Sequence, residues 1–139
     1  MSSETFKTKS QIAWLEYMQV NNKFDIQHAE NGGEFRITGT RFSADGYCAE
    51  TNTIYEYHGD YWHGNPMCFN PWKRNKSNNT QFGELYRKTL EREQLICDLG
   101  YNLEDIWESE WKKAVRCVTL LQNIWKNRQE NSSKRRRFV

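Results

Sequence analysis

The stretch from Asp45 to His63 reads Asp-Gly-Tyr-Cys-Ala-Glu-Thr-Asn-Thr-Ile-Tyr-Glu-Tyr-His-Gly-Asp-Tyr-Trp-His, and it constrains this chain more than any other. The run Arg41 to Cys48 has strand character, Ala49 to Asn52 supplies turn residues, and Thr53 to His58 alternates. Side chains two apart on a strand share a face, so Ile54, Glu56 and His58 point one way and Thr53, Tyr55 and Tyr57 the other. A carboxylate and an imidazole on one face of a short aromatic strand are costly to bury unless paired. The turn brings Asp45 and Glu56 together across neighbouring strands. Asp-(x10)-Glu-x-His suits a divalent-metal phosphodiesterase site, in which hard carboxylate oxygens hold Mg²⁺ and a nearby base handles the attacking water. Acids also flank hairpin turns for purely local reasons, so the spacing alone is moderately specific.

The continuation Glu56-Tyr-His-Gly-Asp-Tyr-Trp-His-Gly-Asn-Pro66 resembles the core of the very-short-patch repair (Vsr) endonucleases. That family belongs to the restriction-endonuclease-like superfamily. In it a strand ends in His-Gly, followed by a residue, an aromatic, Trp and His; here these are His58, Gly59, Asp60, Tyr61, Trp62 and His63. The likeness extends to Trp14-Leu-Glu16, Asp45-Gly-Tyr and Leu99-Gly-Tyr-Asn-Leu-Glu-Asp-Ile-Trp-Glu108, and covers roughly residues 8 to 112. It implies an α/β fold with a restriction-endonuclease-like core, a mixed central β-sheet flanked by helices. By resemblance Asp45 is the principal metal ligand, the Tyr57 carbonyl a second and Glu56 a third in the style of the wider superfamily. His58 and His63 are the candidate bases, and Glu16 reaches the site from the first helix. The implied cofactor is Mg²⁺, with Mn²⁺ as a substitute. The family's structural zinc is not expected, because Asp60 stands where its cysteine ligand would be and no CxxC pair is present. Cys48, Cys68, Cys97 and Cys117 read as reduced, buried thiols.

Charge distribution bears on the partner. Four of the 20 basic residues lie at 134–137, leaving 16 against 18 acidic residues in 1–130. Nucleic-acid affinity in the body must therefore come from local patches. Mean hydropathy is −0.99, no apolar run approaches membrane-spanning length, and the N-terminus lacks the apolar core of a secretory signal, so an intracellular protein is expected. Residues 1–130 read as one endonuclease domain and 131–139 as a basic disordered tail. Lys134-Arg-Arg-Arg137 fits either a phosphate-binding arm or a nuclear address.

In chain order, Ser10 caps a helix from Gln11 to about Asn21 that buries Ile12, Trp14, Leu15 and Met18. Phe24 to Ala29 and Glu34 to Ile37 read as strands around a turn at Glu30-Asn-Gly-Gly33. His28, Arg36 and Arg41 read as solvated strand residues, with Arg41 the best phosphate contact of the three. Gly64 to Gln81 is the least regular segment. There Trp72, Lys73, Arg74 and Lys76 mix aromatic faces with positive charge, which suits double-stranded DNA. Gly83 to Leu99 is a helix with Leu85, Thr89, Arg92, Ile96 and Leu99 on one face, and Arg92 is expected to point at the anionic site. Glu91 and Glu93 stand close to Thr89, where the family has a further acid; neither is assigned. Tyr101 to Trp107 is the last strand, and a helix from Ser109 to about Arg128 is expected to bury Trp111, Val115, Val118, Leu121 and Trp125.

The expected activity is Mg²⁺-dependent DNA nicking, directed by sequence or DNA structure, by a monomer or a homodimer. The rivals are a noncatalytic DNA-binding module on the same fold and a protein-interaction domain using the Trp-rich last helix. Intact Asp45, Glu56, His58 and His63 speak for the enzyme.

Overall fold

The computed structural model describes residues 9–136. They fall into two compact units, divided between Glu108 and Ser109. The first is built on a three-stranded mixed sheet in the order β3 (Gly46–Cys48), β4 (Thr53–His58), β7 (Asn102–Trp107). β3 and β4 form the expected antiparallel hairpin, with Gly46 opposite Tyr55 and Cys48 opposite Thr53. β7 returns parallel to β4, with Glu56 opposite Asp105 and His58 opposite Trp107. A parallel return needs a crossover, which α3 (Phe82–Asp98) supplies.

All six residues of β4 are buried, so the strand is covered on both faces. Tyr55 and Tyr57 meet α1 (Lys9–Asn22): Trp14 packs edge-on to Tyr55 with ring centroids 6.0 Å apart, and Ser10 shares a hydrogen bond with the Tyr57 hydroxyl. Ser10 thus lies inside the helix rather than capping it. A Cβ on Gly46 would stand 2.7 Å from Leu15 Cδ2 and 3.1 Å from Tyr55 Cβ, so glycine lets α1 approach the sheet this closely. On the opposite face Ile54 joins Ile37, Ala44 and Ile96 of α3 in an apolar cluster.

The strand expected at 24–29 does not form. Only Gln27 bridges to Tyr47, with N···O distances of 2.8 and 3.0 Å. Side chains take the place of a ladder: Gln19 Oε1 accepts the Ile26 N–H, Asn31 Oδ1 accepts the His28 N–H, and Gln27 donates to the Gly33 carbonyl. His28, expected to be solvated, is buried in this knot, where its Nδ1 accepts the Glu30 N–H. The second expected strand shrinks to β1 (Phe35–Arg36), paired with β2 (Ser43–Ala44). The run 41–48 is broken at Asp45, the single residue between β2 and β3.

After β4 comes a short helix, α2 (Asp60–His63), and then a loop that is more ordered than expected. β5 (Arg74–Asn75) and β6 (Thr80–Gln81) form a small hairpin around the fully buried Asn75, which donates to the Tyr61 carbonyl and accepts the Ser77 N–H. Phe69 stacks on Phe82 at 4.4 Å.

The second unit consists of α4 (Glu108–Arg136) from Ser109 onward. Trp111 is only half-buried, and Val115, Val118, Leu121 and Trp125 are exposed, the last two at 65%. The apolar stripe is present as expected, but it is not core. The helix also runs on to Arg136, so residues 131–136 are helical where disorder was expected; residues 137–139 lie outside the described ones. No described helix is long and apolar enough to cross a membrane.

Candidate active site

Because β4 alternates, Glu56 and His58 face α3, and the register of β7 places Asp105 on the same face beside Glu56. Asp45 completes the row from the β3 side. Its Oδ2 accepts the Tyr57 N–H at 2.8 Å, which ties the break between β2 and β3 to the end of β4. α3 then lays Arg92 and Glu93 over the row, and α2 brings in His63.

Two groups of charges result. In the first, Arg92 Nε donates to Glu56 Oε1 at 2.7 Å and its Nη2 donates to the Ser43 carbonyl at 2.8 Å. The guanidinium also lies 4.9 Å from the Phe42 ring centroid. Burial, reinforced by the charge of Asp45, pushes the Glu56 carboxyl up to about 8 even though Arg92 pulls the other way. Glu56 therefore behaves as one of a crowded carboxyl pair with an arginine clamped on it. Arg92 was expected to point at the anionic site of the substrate; in the fold its partners are Glu56 and the Ser43 carbonyl.

The second group was not assigned from sequence. His58 Nε2 lies 3.0 Å from Glu93 Oε1 and 3.5 Å from Asp105 Oδ2. The three donor atoms fall within 4.8 Å of one another, so His58, Glu93 and Asp105 form a group that can hold a metal ion. The His58 side chain is 4% exposed, Glu93 23% and Asp105 40%, so the group is anchored at its imidazole and open to solvent at its carboxylates. Burial lowers the His58 pKa, with Asp105 and Asp45 opposing. Burial and the neighbouring Asp105 raise Glu93 to about 7. An imidazole whose basicity burial has lowered, beside two crowded carboxyls, is a donor set whose repulsion a cation would relieve.

His63 stands against His58, with ring centroids 5.1 Å apart. Its Nδ1 lies 3.1 Å from Thr89 Oγ1, and that hydroxyl donates to the Leu85 carbonyl at 3.0 Å. The Thr89 oxygen must then accept from His63 Nδ1–H, which leaves Nε2 with its lone pair. Burial, and the nearby His58, depress the His63 pKa to about 4, so the ring is neutral at pH 7. Gly64 fixes this placement. It has a φ of +67°, and a Cβ there would come within 2.1 Å of the Phe82 carbonyl oxygen, so α2 docks on the start of α3 only through glycine.

Of the residues singled out from sequence, Asp45, Glu56, His58, His63 and Arg92 converge. Glu16 does not join them: it is exposed on α1, the helix that covers the Tyr55 and Tyr57 face of the sheet. Arg41, Lys73 and Lys76 are exposed, as is Trp72 at 79%. Arg74 is tied to the Asn79 carbonyl at 2.7 Å within its hairpin. Of the cysteines only Cys48 is buried; Cys68, Cys97 and Cys117 are exposed, and none joins the metal-competent group. Glu93 and Asp105 carried a weak signal, since Leu103, Asp105 and Trp107 alternate and Glu93 is one turn from Thr89 on α3. Knowing that β7 lies parallel beside β4 was needed to bring them to His58.

No protein-family model, no curated protein and no solved structure matches this chain.

Proposed function

We propose that this chain is a metal-dependent DNA endonuclease that hydrolyses one phosphodiester bond per active site, on the restriction-endonuclease-like core that its β4–α2 motif resembles. The observation that carries this reading is the gathering of Asp45, Glu56, His58 and Asp105 on one sheet face, under Glu93 and beside His63.

The residues fit a divalent cation at His58 Nε2, Glu93 and Asp105 better than at Asp45 and Glu56. Arg92 already occupies Glu56, and Asp45 spends one oxygen on the Tyr57 N–H. One imidazole and two carboxylates suit Mn²⁺ as well as Mg²⁺. Bound there, the cation supplies Lewis-acid stabilisation of charge on the phosphoryl oxygens.

The rest falls to the protein. His63 Nε2 accepts the proton of the attacking water, while Thr89 holds the ring's tautomer through Nδ1. An anionic phosphodiester beside the ring raises its proton affinity, and the charge of Asp45 acts in the same direction. The exposed Trp72, Lys73 and Lys76, beside and within the hairpin that the buried Asn75 anchors, fit a DNA backbone grip. A single site of this kind nicks one strand, so double-strand cleavage would take two nicks or two copies.

The test is a supercoiled-plasmid assay in Mg²⁺, Mn²⁺ or EDTA with wild type, His63→Ala and Asp105→Asn. Nicked circles appear only with metal, and His63→Ala lowers the rate at least about a hundredfold, the usual worth of a positioned base. Cleavage that persists in EDTA, or that survives both substitutions, would overturn the proposal.

A further inference from the structure

Beside His63 lies a cavity of about 530 Å³ that the chemistry above does not use. Phe42, Trp62, Leu85 and Leu95 give it a largely apolar wall, and Lys88 and Arg92 put two cations on it. His63 and Thr89, the base and its partner, line the same cavity. Its one acidic lining residue, Glu91, is paired with Arg87.

This composition selects among ligands. An aliphatic ligand would leave the cations and the Thr89 hydroxyl unanswered, and a bare phosphate would leave the apolar wall facing water. A flat heteroaromatic ring carried on an anionic backbone answers both. The Arg92 guanidinium lies over Phe42, and Glu56 and the Ser43 carbonyl pin it from behind, so its position is fixed before any ligand arrives. Trp62, 57% exposed, offers a second face. A base within a paired duplex cannot enter a cavity; it must first leave the stack.

We infer that this cavity receives an unstacked nucleobase next to the bond being cut, so that the substrate is DNA carrying an unpaired base rather than an intact duplex. The inference rests on the nuclease reading above and supplies its substrate class. Lys88 meets the neighbouring phosphate, the apolar wall takes the base, and His63 then lies at the adjoining phosphodiester.

The test is fluorescence anisotropy with the full chain in EDTA, so that binding is read without cleavage. Three hairpin duplexes are compared: one fully paired, one with a single extra adenine, and one with an abasic residue in place of that adenine. Base stacking in such a pocket favours the adenine bulge by about tenfold over both others. Leu85→Gln and Leu95→Gln, each checked for folding by circular dichroism, bring the adenine bulge down to the abasic level and leave the paired duplex unchanged. If the abasic bulge binds as tightly as the adenine bulge, the preference is for flexible DNA and the inference fails. It fails equally if the paired duplex binds as well, or if both folded glutamine variants keep the preference. Cleavage of the same hairpins in Mg²⁺ separates the two claims: cleavage without a base preference in binding sinks only the cavity, and a base preference without cleavage of the adenine-bulge hairpin sinks only the nuclease. Silence toward all DNA sinks both.

Discussion

Replacing Arg92 with Met isolates the electrostatic arrangement at Glu56. The substitution keeps much of the side-chain volume but removes the donor to Glu56 Oε1, the donor to the Ser43 carbonyl and the cation over Phe42. Its cost depends on whether Glu56 carries a charge. Glu56 is 5% exposed at its side chain, and stripping the partner from a buried ion costs about 3–5 kcal/mol. If the carboxyl keeps its proton, the loss falls to that of two ordinary hydrogen bonds, about 1–3 kcal/mol. Burial and Asp45 raise the folded-state pKa of Glu56 above its ordinary 4.5, to about 8, and removing Arg92 takes away the main opposing influence. A raised folded pKa stabilises the fold below the unfolded value and loses that contribution as pH climbs through the folded one. Arg92→Met should therefore cost about 1–3 kcal/mol at pH 5.5 and more at pH 8.5. Urea denaturation in EDTA at the two pH values reads this directly. A Glu56→Gln, Arg92→Met double variant should lose the pH dependence. A cost that is the same at both pH values, or larger at pH 5.5, would refute the reasoning.

Other outcomes follow from the same structure. Gly64→Ala forces an L side chain into a left-handed backbone and against the Phe82 carbonyl, so it should cost on the order of 3 kcal/mol or more and displace His63, seen as a lower thermal midpoint and lost nicking. Gly46→Ala should cost about 1–3 kcal/mol by pressing on Leu15 and Tyr55, while leaving metal binding intact in the folded fraction. Lys73→Ala with Lys76→Ala should weaken duplex binding uniformly and flatten the log-affinity against log-salt slope by about 1 per lysine, as titrations from low to moderate salt would show.

How much of this was legible in the sequence depends on whether the determining contacts are local. The alternation of Thr53 to His58 carried both faces of β4 correctly, because a strand's two-residue period is intrinsic to the backbone. α1 and α3 fell within a residue or two of their expected ends. Residues 24–29 misled because Gln19, Gln27 and Asn31 offer the backbone side-chain partners that compete with a ladder. The stripe of α4 misled in another way, since periodicity marks an apolar face without saying that anything covers it. At the site, Asp45, Glu56 and His58 were visible as a hairpin pattern. The pairing of Glu56 with Arg92 was not, because Arg92 lies 36 positions away on a different element. Glu93 and Asp105 come to His58 only through the parallel pairing of β4 with β7, a tertiary fact that no local window contains.

The placement of the cation is the central claim, and isothermal titration of Mn²⁺ into the metal-free protein tests it most directly. One site should appear in wild type, weaken at least tenfold in Asp105→Asn and in Glu93→Gln, and persist in Glu56→Gln. A site that survives both Asp105→Asn and Glu93→Gln but disappears in Glu56→Gln would contradict the account and return the metal to the Asp45–Glu56 pair.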